Sequence, residues 1–163
     1  MKNILEEIAA RTRERIAKEK SCISVSELEN RIQEVNKNAG KRITFLQVLQ
    51  KDGMSYICEV KKASPSKGLI APDFPYLAIA KEYEQAGASA ISCLTEPFYF
   101  QGADQYLREI AAAVQIPVLR KDFTVDEYMI YQAKSLGASA VLLICAILDD
   151  GALRAYRQLA KEL

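Results

Sequence analysis

Gly87-Ala88-Ser89-Ala90 and Gly137-Ala138-Ser139-Ala140 are the same tetrapeptide met twice, and their shared setting decides the fold. Each ends a helical stretch and opens an apolar run. Glycine suits the left-handed position that follows a helix, and the small residues after it let the next strand start close beneath. Working outward, four short apolar runs emerge at residues 56–60, 90–94, 117–119 (extending to 123) and 140–145. Helical stretches at 75–85, 104–114 and 125–136 separate them, and a last helix is expected over 150–163. Asp149 and Asp150 favour its positive end. Strand and helix in alternation, joined by short connections, predict parallel βα units.

The recurrence spans two such units, which is the pattern of a (β/α) barrel. A closed (β/α)8 barrel takes eight strands and typically ~250 residues, whereas this chain has 163 residues and four readable strands. The expectation is therefore a four-stranded open sheet or the first four βα units of a barrel. Upstream, Ile4, Leu5, Ile8 and Ile16 share one helical face. Ser26-Glu27-Leu28-Glu29 has capping-box spacing for a second helix, and Phe45, Leu46, Val48 and Leu49 form a third short stretch that Gly53 ends. The predicted organisation is an N-terminal helical extension over 1–53 followed by a (βα)4 half-barrel over 54–163.

Composition narrows the chemistry. Half the residues are hydrophobic and 22 basic residues nearly balance 21 acidic ones, for a net charge of +1. Nucleic acid and membrane surfaces are not expected partners, because both are held by a basic excess. The longest apolar run, Ala140 to Leu148, is under half the ~20 residues of a membrane span. The charged opening, with Glu6, Glu7, Arg11 and Arg13, is unlike a secretory signal and predicts a cytoplasmic protein. Histidine is absent, so neither a Ser-His-Asp triad nor a His-metal site can be assembled within this chain. Cys22, Cys58, Cys93 and Cys145 are scattered, and three lie in apolar runs where a reduced thiol acts as a small hydrophobe. No metal site is expected. Acid–base work falls to Lys, Glu, Asp or Tyr.

Three places offer such chemistry. On the first strand, alternation points Glu59 and Lys61 one way and Cys58 and Val60 the other. Charges at the carboxyl end of a barrel strand are where catalytic groups sit, although a plain strand-end salt bridge fits equally. The following loop, Ser64-Pro65-Ser66-Lys67-Gly68, offers hydroxyls, a cation and a turn, as a solvated loop also would. On the third strand, parity groups Lys121 with Leu119, and Arg120 with Val118 and Asp122. Lys121 is a candidate general acid if held as an ammonium and a Schiff-base nucleophile if deprotonated; the plain alternative is a surface pair with Asp122. Finally, Phe98-Tyr99-Phe100 places three aromatics in a loop, one to pack on core and another to stack on a flat ring.

Taken together, residues 59–68, Leu94-Thr95-Glu96, Tyr99-Phe100-Gln101-Gly102, residues 117–123 and Leu142-Leu143-Ile144 occur in an order and spacing that resembles the indole-3-glycerol-phosphate synthases of tryptophan biosynthesis. The resemblance covers essentially the whole chain, including the helices before the barrel. It implies a (β/α)8 TIM-barrel lyase without metal or organic cofactor, acting on a small phosphorylated substrate, 1-(2-carboxyphenylamino)-1-deoxyribulose 5-phosphate. The indole ring closes with loss of carbon dioxide and water. By the same resemblance Lys121 matches the general acid, and Lys61 a lysine that binds substrate anions and serves the dehydration. Glu59 matches a glutamate that positions both. Ser64 falls in the loop near substrate, and Phe100, Phe123 and Leu142 match the apolar walls around the aromatic ring. The family's further strands carry a second catalytic glutamate, an asparagine and the Gly/Ser phosphate loops, none of which is found among these residues, so weak or no turnover is expected of this chain by itself. Two alternatives stand beside this reading. One is a catalytically incomplete half-barrel that pairs with a second copy through open edges at 54–60 and 140–145. The other is a Schiff-base barrel lyase using Lys121.

Overall fold

The computed structural model of the chain describes residues 3–38 and 43–163; residues 1–2 and 39–42, within the expected 1–53 extension, lie outside the described residues. Three helices come first: α1 (Ile4–Cys22), α2 (Val25–Asn38) and α3 (Phe45–Leu49). Then follow β1 (Ile57–Val60), a small hairpin of β2 (Ala63–Ser64) and β3 (Gly68–Leu69), α4 (Tyr76–Gln85) and β4 (Ala90–Leu94). The chain continues through α5 (Asp104–Ala113), β5 (Val118–Lys121), α6 (Tyr128–Ser135), β6 (Ala140–Val141) and α7 (Asp150–Glu162). Strands β1, β4, β5 and β6 form one parallel sheet in that order. The expected four βα units are present, and the sheet is open among the described residues.

The repeated tetrapeptide does the same work twice. Gly87 and Gly137 adopt φ of 89° and 90°, a region closed to most L-residues but open to glycine. The next N–H, of Ala88 or Ala138, reaches back to the carbonyl of Tyr83 or Ala133 and closes α4 or α6. One residue on, the Ser89 N–H bonds the carbonyl of Tyr56 and the Ser139 N–H that of Val118, each at 2.8 Å. Thus one short sequence ends a helix, turns the chain and registers the next strand on its neighbour.

Alternation along the strands then sorts the two faces. Val60, Ile91, Cys93 and Val118 join Ala80, Leu107, Ile110, Ala111, Ala133 and Leu136 in the core between sheet and helices. Residues of opposite parity, among them Glu59, Ser92, Leu119 and Lys121, occupy the other face, where Glu59 pairs in register with Ser92 and Ser92 with Leu119. A second cluster, built from Ala9, Ile16, Leu28, Val125, Tyr128 and Met129, seats α1 and α2 against α6. No described helix is long and apolar enough to cross a membrane.

Four details differ from expectation. Helix α2 is capped by Ser24 rather than Ser26: the Ser24 carbonyl accepts from Leu28 and its hydroxyl from the Glu27 N–H, so the capping position lies two residues upstream. The loop after β1 holds the β2–β3 hairpin, with Ala63 opposite Leu69 and Ser64 opposite Gly68. Helix α6 starts at Tyr128 because the Asp126 carboxylate takes the Tyr128 N–H and its carbonyl the Met129 N–H, while Val125 is buried in the second cluster. The last apolar run pairs only through Ala140 and Val141, and residues 145–147 turn into a short 3-10 helix. Cys145, in that turn, is exposed, and Cys58, on the outer strand β1, is half-buried; of the three thiols expected inside, only Cys93 is. Burial pushes the Cys93 thiol up to about 12, so it stays a neutral apolar filler.

Candidate active site

At the carboxyl ends of β1 and β5 three charged side chains meet. The Lys61 ammonium donates to Glu59 Oε1 at 2.7 Å, and the Lys121 ammonium to Glu59 Oε2 at 2.8 Å. Ser92, on the strand between them, donates to the same Oε2 at 3.4 Å. The side chains of Glu59, Lys61 and Lys121 are 29%, 33% and 36% exposed, so the cluster is reachable rather than sealed. Burial by itself pushes the Glu59 carboxyl up. Hydrogen bonds and charge from Lys121 and Lys61 outweigh it and hold the group below its ordinary value. One carboxylate thereby offsets the repulsion between two cations, each of which bonds it and stays partly exposed. This is more than a strand-end salt bridge within β1, because the second lysine arrives from β5, across β4.

Beyond β1, an open groove is lined by Lys61, Ser64, Pro65, Lys67, Ile70 and Phe100. Ser64 is buried at its base, and its Oγ accepts the Lys67 N–H at 3.2 Å, which shapes the hairpin turn. Phe100 and Phe123 come together with ring centroids 6.5 Å apart and planes tilted by 40°. Leu142 follows β6 directly and is half-buried. Of the seven residues expected, the geometry brings Glu59, Lys61 and Lys121 into one hydrogen-bonded group and lays Ser64 and Phe100 along the adjoining groove.

Asp122 does not pair with Lys121. It faces the opposite way with Arg120, and both side chains are essentially inaccessible. Arg120 bonds Thr95 Oγ1 at 3.0 Å, Gln132 Oε1 at 2.8 Å, Asp104 at 2.9 Å and Asp122 at 3.4 Å. Asp122 accepts from Thr95 at 2.7 Å and from Arg15 of α1 at 2.9 Å. Burial pushes the Asp122 carboxyl up, but Arg120, Arg15 and the Thr95 bond reverse this and hold it below the usual carboxylate range. Parity puts Arg120 and Asp122 on that face beside each other, yet nothing near them in sequence names Arg15, Thr95, Asp104 or Gln132. Ser92 is not singled out in the sequence, and Glu96 stands there only within Leu94-Thr95-Glu96, without a role of its own. Ser92 follows from alternation once β4 is laid beside β1; the burial of Glu96 does not follow from alternation, because the residue lies past the end of the strand.

The family model for indole-3-glycerol phosphate synthase matches residues 5–163. The chain is 53% identical over 160 residues to the indole-3-glycerol phosphate synthase of Lacticaseibacillus paracasei, covering 98% of this chain and 61% of that protein. With the synthase of Ruminiclostridium cellulolyticum it shares 51% over 161 residues, again 98% and 61%. A match to that of Neisseria gonorrhoeae reaches 57% over 107 residues, 66% of this chain and 41% of the relative. The chain thus spans about 61% of the length of the first two relatives.

Proposed function

The chain belongs to the indole-3-glycerol phosphate synthase family, and from that premise we propose that its charged cluster serves ring closure, decarboxylation and dehydration of 1-(2-carboxyphenylamino)-1-deoxyribulose 5-phosphate. The observation that carries this is Glu59 held between Lys61 and Lys121, at 2.7 and 2.8 Å. Attack of the anilino ring carbon on the ribulose ketone builds negative charge on the ketone oxygen. Lys121, an ammonium within reach of solvent and steadied by Glu59, delivers a proton there as general acid. Lys61, facing the groove, attracts the substrate's anionic groups and stands by the hydroxyl that later leaves as water. Glu59 positions both donors. Phe100 and Phe123 supply apolar walls for a planar ring, with Leu142 closing that wall at the edge strand and Ser64 bordering the substrate from the hairpin.

The same reading makes a phosphorylated small molecule the partner, places the chain in the cytoplasm and needs no metal or organic cofactor. Among the described residues β1 and β6 are the outer strands of the sheet, and their edges would suit a second copy of the chain, because unpaired strand edges recruit partners.

The experiment is an assay of indole-3-glycerol phosphate formation by the chain and by Lys121→Ala. General acid catalysis is worth roughly 10²–10⁴ in rate, and the variant is expected to lose a factor of that size. Borohydride added with substrate is expected to leave Lys121 unmodified, since here it gives a proton and forms no covalent bond. An active Lys121→Ala chain, or a reduced adduct on Lys121, overturns the assignment.

A further inference from the structure

The loop from β4 to α5 is folded around a single carboxylate. Glu96 is 0% exposed, and its partners are successive backbone amides. The Phe98 N–H donates to Oε1 at 2.9 Å, and those of Tyr99 and Phe100 to Oε2 at 2.7 and 3.0 Å. Convergent N–H groups of this kind make an anion nest, and the chain fills it with its own side chain. The Glu96 carbonyl accepts the Gly102 N–H at 2.8 Å and closes the loop. A Cβ at Gly102 would stand 2.4 Å from the Leu94 carbonyl oxygen, so the loop lies directly on the end of β4, where any larger residue would lift it.

This knot decides where three consecutive aromatics go. Phe98 and Tyr99 turn toward α1, where the Arg11 guanidinium lies 5.6 and 5.5 Å from their ring centroids. The Tyr99 hydroxyl bonds Glu7 on the same helix. Phe100 turns the other way, to Phe123 and the groove beside Lys61. Its carbonyl accepts the Ala63 N–H at 3.2 Å, two residues past Lys61. Burying a carboxylate is unfavourable unless its lone pairs are satisfied, and here three amides of one loop satisfy it together.

We propose that Glu96 is a positioning residue of the site. By gathering the amides of residues 98–100 it fixes the Phe100 ring as an aromatic wall and, through the Phe100 carbonyl, ties down the segment that follows Lys61. Glu96 acts through Phe100 rather than on substrate. The proposal rests on the ring-closing reading above, which supplies the flat aromatic ligand that such a wall would hold.

The test is Glu96→Gln, which keeps the side chain's volume but turns one acceptor into an NH₂ group facing backbone amides. Residue-resolved hydrogen exchange of the full chain is combined with titration of the substrate whose ketone has been reduced to an alcohol. The amides of Tyr99 and Phe100 are expected to exchange at least about tenfold faster, while β4 and β5 keep their protection. Affinity for the reduced substrate is expected to fall by about 10- to 100-fold, the scale of a small misplacement of a binding wall. Phe100→Ala should give a similar loss, and the double variant little more, as expected for residues acting in series. In turnover, KM should rise more than kcat falls. Wild-type amides at 98–100 that exchange as freely as an open loop overturn the proposal with no variant needed. A folded Glu96→Gln chain with wild-type affinity also overturns it. Failure of the synthase reading has a separate signature: the wild-type chain ignores the reduced substrate while exchange at 98–100 still depends on Glu96. That result removes the site role of Glu96 together with the reading it rests on.

Discussion

Strand β5 carries two charged clusters one residue apart, and they have opposite characters. On one face Lys121 meets Glu59 and Lys61, with about a third of each side chain open to water. On the other, Arg120 and Asp122 are sealed, and Arg15, Thr95, Asp104 and Gln132 surround them. Both faces present cations to carboxylates, but only the first leaves protons a ligand can reach. The second uses the donors of Arg120 on the protein itself, and with Arg15 on Asp122 it binds α1, the segment after β4, α5 and α6 to one strand. Alternation along a β-strand thus lets neighbouring residues serve reactivity and rigidity without interfering.

The comparison breaks most visibly when a sealed partner is removed. Asp122→Ala leaves Arg120 and Arg15 facing an empty site, and losing one member of a buried pair costs about 3–5 kcal/mol. Denaturant unfolding should register it as a lower midpoint. Removing the open partner should do the reverse. Lys121→Ala is expected to change stability by less than about 1 kcal/mol, because a partly exposed pair contributes little net free energy, while its loss of activity is large. A Lys121→Ala chain that unfolds as easily as Asp122→Ala would erase the distinction between the faces.

Acid sharpens the same contrast. The folded carboxyl of Asp122 lies below its ordinary value of 3.8, so the stability it contributes is complete above that value and drains away as pH falls toward the folded one. Asp122→Asn, measured by unfolding midpoint against pH, should therefore be less stable at neutral pH and show a shallower decline below about pH 4. Glu59 is also lowered, from 4.5, but its side chain is partly exposed, and Glu59→Gln should alter that acid limb far less.

These two faces also show what the sequence could and could not tell. Strand order, the helices between strands and the grouping of Glu59 with Lys61 and of Lys121 with Leu119 all follow from short-range periodicity, which the chain states openly. The repeated Gly-Ala-Ser-Ala was legible because its conformational demand is local: a left-handed glycine, then two amides with fixed tasks. By contrast, beyond the neighbouring Asp122, the partners of Arg120 come from residues 95, 104, 129 and 132, and Asp122 is also held by residues 15 and 95. No local pattern encodes such long closures. The stretch Leu94-Thr95-Glu96 stands out, but the task of Glu96 does not, because its partners are main-chain amides that every sequence supplies. Residues 142–145 read as strand because apolar runs advertise burial and not pairing, and the register with β5 stops at Val141.

The most direct check on the central claim is an NMR titration of the Glu59 carboxyl carbon in the chain and in Lys121→Ala. Held between two lysines, Glu59 should titrate below 4.5 and move upward when Lys121 is removed, since burial then meets less opposition. A Glu59 that titrates at its ordinary value in both proteins would contradict the convergence of β1 and β5 on one site.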